Sequence, residues 1–436
     1  MAGGTLSGAF LLLLAVFFGG VVLRVPIGPA MLAAGVAYLL TSGQDVGLAA
    51  EQVLNGLFNS YVLLAVPLFI FAASIMNAGT ISERLFAFAH ALVGRFRGGL
   101  AHVNVLVSMI FAGMSGSAIA DAAGPSLLEI KAMTEGGRYS PGFAAAVSAA
   151  SATIGPIIPP SIPMVLYALV SSTSVGALFL GGVVPGVLMG GAQMAGIAVI
   201  ARRRGFPTEP PPPLREYPRI LARAVLPLLL PVILLGGIYS GAFTPTEAAA
   251  MAAVYALLLA GVVYRALDWG ALVALTAATT RSTAVVSLII AGAFVVNYAL
   301  ATEQIPGAIA GALAGVHLPP LAFLLLLNLL FLVLGCFLDT TTMLLVLVPL
   351  LLPAVRAAGI DLVHFGVVIV VNMMIGLITP PYGVLLFVLN ALTGIPLGEI
   401  IGEIWLFIAV LILSLFLISV FPELVLWLPR QFGYKG

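Results

Sequence analysis

The stretch SATIGPIIPPSIPMV, residues 151–165, places four prolines inside an apolar segment long enough to cross a bilayer. Each proline removes a backbone donor and clashes with the preceding helical turn, which costs about 3 kcal/mol in a helix interior. Broken backbone at membrane depth is tolerated only where it is buried in protein or lines a cavity. The stretch therefore predicts an interrupted membrane helix whose free carbonyl groups line a cavity or bind a ligand.

The composition is that of a membrane protein. Of the 436 residues, 62% are apolar and 8% are charged, against about 45–50% and about 25% in soluble domains. The net charge of +1 gives no reason to expect nucleic acid. The single cysteine, Cys336, excludes an internal disulfide and a cysteine metal cluster. We expect an all-α polytopic membrane protein, surrounded by lipid and without a soluble domain.

Hydropathy predicts a series of apolar spans along the whole chain. They cover 5–23, 25–41, 61–77, 100–114, 142–170, 177–200, 224–240, 247–266, 283–301, 319–338, 343–353, 365–390 and 400–428.

The opening stretch has a counterpart in the second half of the chain. Gly113 opens GMSGSAIADAAG, and the Pro-Pro pair of GPIIPPS follows 46 residues later. Gly335 opens GCFLDTTTM, and the Pro-Pro pair of GLITPPYG follows 45 residues later. Two such turns at matched spacing indicate an internal repeat.

Each repeat is predicted to hold an amphipathic arm, a re-entrant helical hairpin and a broken transmembrane helix. The first repeat, 1–200, has scaffold helices, the arm 79–95, the hairpin 100–138 and the broken helix 142–170; the second, 224–436, has the arm 303–316, the hairpin 319–353, the broken helix 365–390 and a last helix 400–428. The Pro-rich segment 201–223 between them is predicted to be an extended, solvated cytoplasmic linker.

Loop charges predict that the two repeats are inserted upside down relative to each other. Arg95, Arg97, Lys131 and Arg138 bracket the first Gly-Ser turn, which places its flanks in the cytoplasm. Counting spans from there leaves the flanks of the second turn outside, with only Arg356. An inverted repeat with broken helices near the midplane is the plan of secondary transporters.

Two carboxylates are predicted at membrane depth. Of the 16 acidic residues, 14 are predicted at span ends or in loops, and only Asp121 and Asp339 at membrane depth in the hairpins. Even lenient scales give a cost of at least ~2.5 kcal/mol for a carboxylate at that depth. Hydroxyl groups flank both residues, and freed carbonyl groups are expected opposite them. Such hard oxygen ligands suit a sodium ion.

Simpler interpretations stay open for several of these residues. A serine or threonine in a membrane helix usually bonds its own i−4 carbonyl or a neighbouring helix. Asp121 could cap the second arm of its hairpin. Thr244 and Glu247, in TPTE, are predicted to form a helix start with an acid in the first turn.

Enzyme and channel functions are the rival classes. GMSG at 113–116 matches the short signature of rhomboid-type intramembrane serine proteases, which need a histidine within reach of Ser115. The four histidines fall at or near predicted span ends, and GCFLD lacks the Gly-x-Gly-Asp of intramembrane aspartyl proteases. Re-entrant loops also build channel filters, but two dissimilar tips do not form a ring of like carbonyls. We favour a carrier over a protease or a channel.

Several motifs resemble, in order and spacing, the large membrane subunit of TRAP (tripartite ATP-independent periplasmic) transporters. They are VPLFIFAAS at 66–74, FAGMSGSAIADAAG at 111–124, GPIIPPS at 155–161, FTPTEAAA at 243–250, LDTTTM at 338–343 and ITPPYG at 378–383. The likeness covers essentially the whole chain. It implies a member of the ion transporter superfamily in a bacterial inner membrane, with an elevator-like movement of the domain that carries the hairpins.

The resemblance also implies site residues, partners and coupling ions. Sodium ligands would be Ser115, Ser117 and Asp121 with the carbonyls of Gly155, Ile158 and Pro160 at one site, and Asp339 and Thr342 with Gly376 and Thr379 at the other. Substrate would contact Ser115, Gly116, Ser161, Thr340, Thr341 and Pro380. The family works with a small four-helix membrane subunit and a periplasmic substrate-binding protein, and imports organic acids with sodium and no cofactor. The runner-up is a stand-alone sodium/dicarboxylate symporter of the same superfamily.

Overall fold

The computed structural model describes residues 7–78, 81–208, 210, 212–314 and 318–436. Every regular element in these residues is helical, and seven of the described helices are long and apolar enough to cross a bilayer. The prediction of an all-α polytopic membrane protein is confirmed. Residues 1–6, 79–80 and 315–316, at the start of the first repeat and in the two predicted arms, lie outside the described residues.

The first half runs from scaffold helices through a hairpin to a broken helix. Its helices are α1 Gly8–Val22, α2 Ile27–Thr41, α3 Gly47–Phe58, α4 Ala65–Ala78, α5 Ile81–Val93, α6 Gly99–Ser115, α7 Ala118–Ala123, α8 Pro125–Thr134, α9 Pro141–Ala152, α10 Ile162–Ser171 and α11 Val175–Arg204. In this half α6–α8 form the hairpin, and α9 and α10 are the two parts of the broken helix.

The second half contains the same order of elements. Its helices are α12 Tyr217–Tyr239, α13 Pro245–Leu257, α14 Trp269–Thr302, α15 Ile305–Ala314, α16 Pro320–Gly335, α17 Thr340–Thr342, α18 Val348–Ala357, α19 Leu362–Gly376, α20 Val384–Thr393, α21 Leu397–Val420 and α22 Glu423–Gln431. A wider helical turn, Met343–Leu347, joins α17 to α18. Thus α15, α16–α18 and α19–α20 correspond to α5, α6–α8 and α9–α10.

Corresponding helices of the two halves run in opposite directions. Gly142, near the start of α9, lies against the backbone of Glu399, near the start of α21. His364, near the start of α19, places Nε2 2.9 Å from the carbonyl oxygen of Ile418, near the end of α21. Because α9 and α19 start at opposite ends of α21, the two broken helices point opposite ways.

The scaffold helices α2 and α14 approach each other closely through small residues. A Cβ atom on Gly28 would lie 2.9 Å from the backbone carbon of Leu288, and one on Gly292 would lie 2.7 Å from the Cβ of Met31. Glycine at helix contacts lets backbones approach, which gains van der Waals packing where lipid offers no hydrophobic driving force. The pair α2 and α14 therefore forms a firm support beside the hairpins.

Several predicted boundaries differ from the structure. The span 283–301 belongs to the 34-residue helix α14, because the polar run before residue 283 contains no helix breaker. The last helix, 400–428, is divided at Pro422 into α21 and α22, since a residue before proline avoids the helical region. The second hairpin continues to Ala357, beyond its predicted end at 353. Helix α3 was not predicted.

The predicted solvated linker is shorter and partly packed. Helix α11 continues to Arg204 and α12 begins at Tyr217, so both ends of 201–223 are helical. Phe206 packs with its ring centroid 4.8 Å from that of Tyr139, and the carbonyl of Pro207 accepts a hydrogen bond from Gly98 N at 3.1 Å. The aromatic side chain explains why this part of the linker leaves solvent.

Candidate sodium and substrate site

The tip of the first hairpin is held against the first break by backbone contacts. Helix α6 ends at Ser115, and Gly116 adopts φ of 63°, a left-handed conformation that glycine adopts without steric cost. Its carbonyl accepts a hydrogen bond from Ile162 N at 3.3 Å. A Cβ atom at Gly116 would lie 2.6 Å from the carbonyl oxygen of Pro160. Ser117 caps α7, since its hydroxyl accepts from the N–H of Ala120 at 3.4 Å.

Asp121 is a buried carboxylate that faces the Ser115 hydroxyl and no other donor among the described residues. The residue is 1% exposed, and within the described chain neither carboxylate oxygen has a hydrogen-bond partner at normal distance. The hydroxyl of the fully buried Ser115 faces it, and a Cβ atom on Gly155 would overlap its Oδ2. Asp121 therefore lies between hairpin tip and break, and it is not the cap of α8, which begins after Gly124.

Glu129 is a second buried carboxylate, although the sequence predicts a span end or a loop for it. It is 1% exposed, and neither of its oxygens has a partner among the residues described. The missed signal was periodicity: the buried positions of α8 include Ser126, Glu129, Ile130 and Met133, at the i, i+3, i+4, i+7 spacing of one helix face.

The first break exposes the carbonyls that the sequence predicts as ligands. Those of Gly155, Ile158 and Pro160 accept no backbone hydrogen bond from any residue the structure covers. Ser161, predicted to contact substrate, caps α10 by accepting from Met164 N at 3.2 Å, and its hydroxyl donates to the carbonyl of Pro156. The peptide bond between Pro159 and Pro160 is cis, as is that between Pro380 and Pro381.

The tip of the second hairpin is organised by Asp339. One carboxylate oxygen accepts from Thr342 N at 2.9 Å and the other from the Thr342 hydroxyl at 2.5 Å. The carboxylate is half-buried and caps the short helix α17. Thr340 Oγ1 is buried and has no partner in the described part of the chain, and the neighbouring Thr341 is half-buried.

The second break meets the backbone of its hairpin at Gly376. A Cβ atom on Gly376 would lie 2.9 Å from both the carbonyl carbon and oxygen of Gly335. The Gly376 carbonyl already accepts from Thr379 N at 3.1 Å, and the Thr379 hydroxyl donates to the carbonyl of Ile375 at 2.7 Å. Pro380, predicted to contact substrate, is half-buried. One lone pair of the Gly376 carbonyl is thus used by the turn.

The two halves exchange contacts around these tips. Helix α10, which follows the first break, packs on the second hairpin at α17 and α18. Helix α20, which follows the second break, packs on α7 of the first hairpin. Each half therefore supplies a hairpin and a break, and each is closed by a helix of the other half.

The sequence matches the family described as "Tripartite ATP-independent periplasmic transporter, DctM component" over residues 14–424. The large permease protein SiaM of the Vibrio cholerae sialic acid TRAP transporter is 44% identical over 411 residues, covering 94% of this chain and 96% of SiaM. The chain belongs to the TRAP transporter large permease family. Its relatives in this family are permeases, so the protease interpretation is wrong and the chain is a transporter subunit.

Other relatives and one solved structure agree with this assignment. The large permease protein DctM of a C4-dicarboxylate TRAP transporter of Pseudomonas aeruginosa is 43% identical over 373 residues, covering 86% of this chain and 87% of DctM. The sialic acid TRAP transporter permease SiaT of Haemophilus influenzae is 36% identical, covering 97% of this chain and 68% of SiaT. The YdaH transporter of Alcanivorax borkumensis superposes with a TM-score of 0.62 at 17% identity, covering 84% of this chain and 86% of YdaH, which shows a shared fold.

Buried polar residues fasten each hairpin of this TRAP permease to the first part of its broken helix. Asn104 on α6 donates to Ser148 Oγ at 2.6 Å and accepts from Ser151 Oγ at 2.7 Å on α9. In the second half, Asn372 on α19 donates to the side-chain oxygen of Asn328 on α16 at 3.1 Å. Hairpin and break are therefore joined in each half by an asparagine bond.

Two further features bear on the sequence predictions. Thr244 and Glu247 form a capping box at the start of α13, so the structural interpretation of TPTE is confirmed. His102, the histidine of α6, is thirteen residues from Ser115 along the same helix, a separation of about 20 Å. His102 is therefore too far from Ser115 to act as the general base of a serine protease.

Proposed function

We propose that this TRAP large permease subunit imports an organic acid anion across the bacterial inner membrane, driven by a sodium gradient. The observation that carries the proposal is the buried carboxylate of Asp121, which faces only the Ser115 hydroxyl among the described donors. It lies between a hairpin tip and a break whose carbonyls at Gly155, Ile158 and Pro160 accept no backbone hydrogen bond from the described residues. A charge taken out of water in this way costs several kcal/mol unless it is paired. A cation held by these oxygens supplies the missing partner.

Oxygen chemistry and the repeat favour two sodium positions, one in each half. At the first, the Asp121 carboxylate faces the Ser115 hydroxyl and packs against Gly155 of the break. At the second, Asp339 and Thr342 lie together at the tip, and the break approaches through Gly376. In secondary transporters freed carbonyls coordinate the coupling sodium, while half-helix N-termini face anionic substrate.

The chemical groups at the two hairpin tips limit the class of substrate. Neither 113–124 nor 335–343 contains an arginine or lysine, so an anion would be held by bound sodium and by hydroxyls such as that of Thr340. Relatives are named for sialic acid and for C4-dicarboxylates, and both are carboxylates. We infer a small carboxylate substrate, with fine selectivity set by a binding protein.

The proposed transport includes an elevator movement and two protein partners. The amphipathic helices α5 and α15 would act as arms between the scaffold and an elevator domain that carries the hairpins. The TRAP family implies a small four-helix membrane subunit and a periplasmic binding protein that delivers the substrate. The alternative is a stand-alone sodium/dicarboxylate symporter.

The test is uptake of labelled sialic acid and succinate into proteoliposomes that contain this chain and the small subunit encoded with it. We expect uptake only with an inward sodium gradient and with the cognate binding protein outside. Uptake without the binding protein would favour the stand-alone symporter. Uptake that ignores sodium and follows an imposed proton gradient would overturn sodium coupling.

A further inference from the structure

Two asparagines on scaffold helices hold the two hairpins in the same way. Asn77 lies at the end of α4, which packs on α6 of the first hairpin and on the scaffold helices α13 and α14. Its Nδ2 donates to the carbonyl of Ala120 at 3.4 Å. Asn297 lies near the end of α14, and its Nδ2 donates to the carbonyl of Leu345 at 3.0 Å. Each bond therefore joins a scaffold helix to the return arm of the hairpin in its own half.

The two bonds occupy corresponding places in the two halves. Helix α4 is the helix before the arm α5, and α14 is the helix before the arm α15. The acceptors correspond as well, because Ala120 follows Ser117 by three residues and Leu345 follows Thr342 by three, just beyond each tip. The same contact between scaffold and hairpin thus occurs twice.

Both asparagine side chains are only half satisfied by these contacts. The side-chain oxygen Oδ1 of Asn77 and that of Asn297 are buried, and neither has a hydrogen-bond partner among the described residues. Gly124 leaves room for the first amide, since a Cβ atom there would overlap Oδ1 of Asn77 and lie 2.8 Å from its nitrogen. Leu345 lies in the wide turn Met343–Leu347, and wide turns of this kind are frequent at functional sites.

A hydrogen bond between two parts that move past each other has to break during the movement. It is lost once donor and acceptor separate beyond about 3.5 Å. If the hairpins travel with an elevator domain while α4 and α14 stay in the scaffold, both asparagine bonds are lost together. The two bonds then stabilise the conformation seen in this structure against the one that follows the movement.

We propose that Asn77 and Asn297 are positioning residues, which hold the two hairpins against the scaffold in this conformation and release them when the elevator domain moves. This inference rests on the proposed transport, because it needs hairpins that move against the scaffold. Loss of one bond should lower the ratio of this conformation to the other by about 2–10-fold, the usual contribution of one hydrogen bond. Loss of both should multiply the two effects, since the sites are independent.

The experiment measures the distance between scaffold and hairpin by double electron–electron resonance, on the full chain in lipid nanodiscs. Spin labels are attached through Ser42→Cys on the scaffold and Glu135→Cys on the first hairpin, both at exposed positions, with the native cysteine removed by Cys336→Ser. In this background we expect two distances. We expect Asn77→Leu and Asn297→Leu each to reduce the population at the distance of this structure, and the double variant to reduce it most.

Asn390→Leu is the matched control. Asn390 on α20 donates from Nδ2 to the carbonyl of Ile395 at 2.7 Å, a bond of the same kind that does not join a scaffold helix to a hairpin. Its loss should lower the thermal midpoint and leave the ratio of the two distances unchanged. A changed ratio in the Asn77 and Asn297 variants alone therefore separates a positioning role from a general loss of stability.

The outcomes separate this inference from the proposed function. If the labelled background shows two distances and the Asn77 and Asn297 variants keep its ratio, the inference is overturned while the elevator movement stands. If the background shows a single distance with sodium, without sodium and with added sialic acid or succinate, the elevator movement is refuted and the inference with it. Should a leucine variant aggregate, Asn77→Ala or Asn297→Ala, which removes the amide without adding bulk, is measured in its place and judged by the same ratio.

Discussion

Gly155 and Gly376 occupy matching positions, before the Pro-Pro pairs of GPIIPP and GLITPP, and each faces the hairpin of its own half. At Gly155 the neighbour is the carboxylate of Asp121, and at Gly376 it is the backbone of Gly335. Both positions lack room for a Cβ atom. A side chain there would separate the break from the hairpin and pull the oxygen ligands apart.

Gly376→Ala is therefore expected to be destabilising and to reduce uptake. The added atom meets backbone at 2.9 Å, which cannot move aside as a flexible side chain can, so a cost of about 1–3 kcal/mol is expected. Thermal unfolding of the purified chain measures it. Gly402→Ala, where no atom lies within 4 Å of the added Cβ, is the control and should be neutral or slightly stabilising. Equal midpoints for the two variants would disprove the close contact.

At the scale of elements, the asparagine bonds join each hairpin to its break. Asn104 is fully buried and shares hydrogen bonds with Ser148 and Ser151. These bonds fix α6 against α9, so the tip and the first break keep their separation. The equivalent bond between Asn328 and Asn372 does the same for α16 and α19.

Asn104→Leu should destabilise the protein by about 1–2 kcal/mol, because it keeps the volume but leaves buried serine hydroxyls with fewer partners. We expect a lower thermal midpoint and a weaker response of that midpoint to sodium. Asn59→Leu, at an exposed helix end, is the matched control. A midpoint for Asn104→Leu as high as for the control would show that the bond does not fasten the hairpin.

The elements also show what the sequence could and could not predict. Proline and glycine patterns predicted the breaks near Pro159 and Pro380 because these residues act on the backbone locally. Glu129 was missed because its burial depends on how α8 rotates against its neighbours, which only its helical periodicity hinted at. The part of α14 before residue 283 was not predicted. Hydropathy falls there, but no residue in that part breaks the helix.

At the scale of the whole molecule, oppositely directed halves place one hairpin and one break on each side of a shared centre. Helices α10 and α20 cross between the halves, so neither site is complete within its own repeat. This exchange could not be predicted from sequence, because spacing shows that two units match and not which helix of one unit covers the other. We propose that the carboxylate of each half, Asp121 or Asp339, serves as a sodium ligand.

The most direct test of that claim is sodium-driven uptake by Asp339→Asn in proteoliposomes with both partners present. Asparagine can still cap α17, so the fold is kept while the charge is lost. We predict sodium binding weaker by about 10–100-fold, from a loss of about 1.5–3 kcal/mol, and a matching loss of uptake at limiting sodium. Asp268→Asn, the same change at the N-cap of α14, should transport like the wild type. If the sodium dependence of uptake is unchanged in Asp339→Asn, Asp339 is not a sodium ligand.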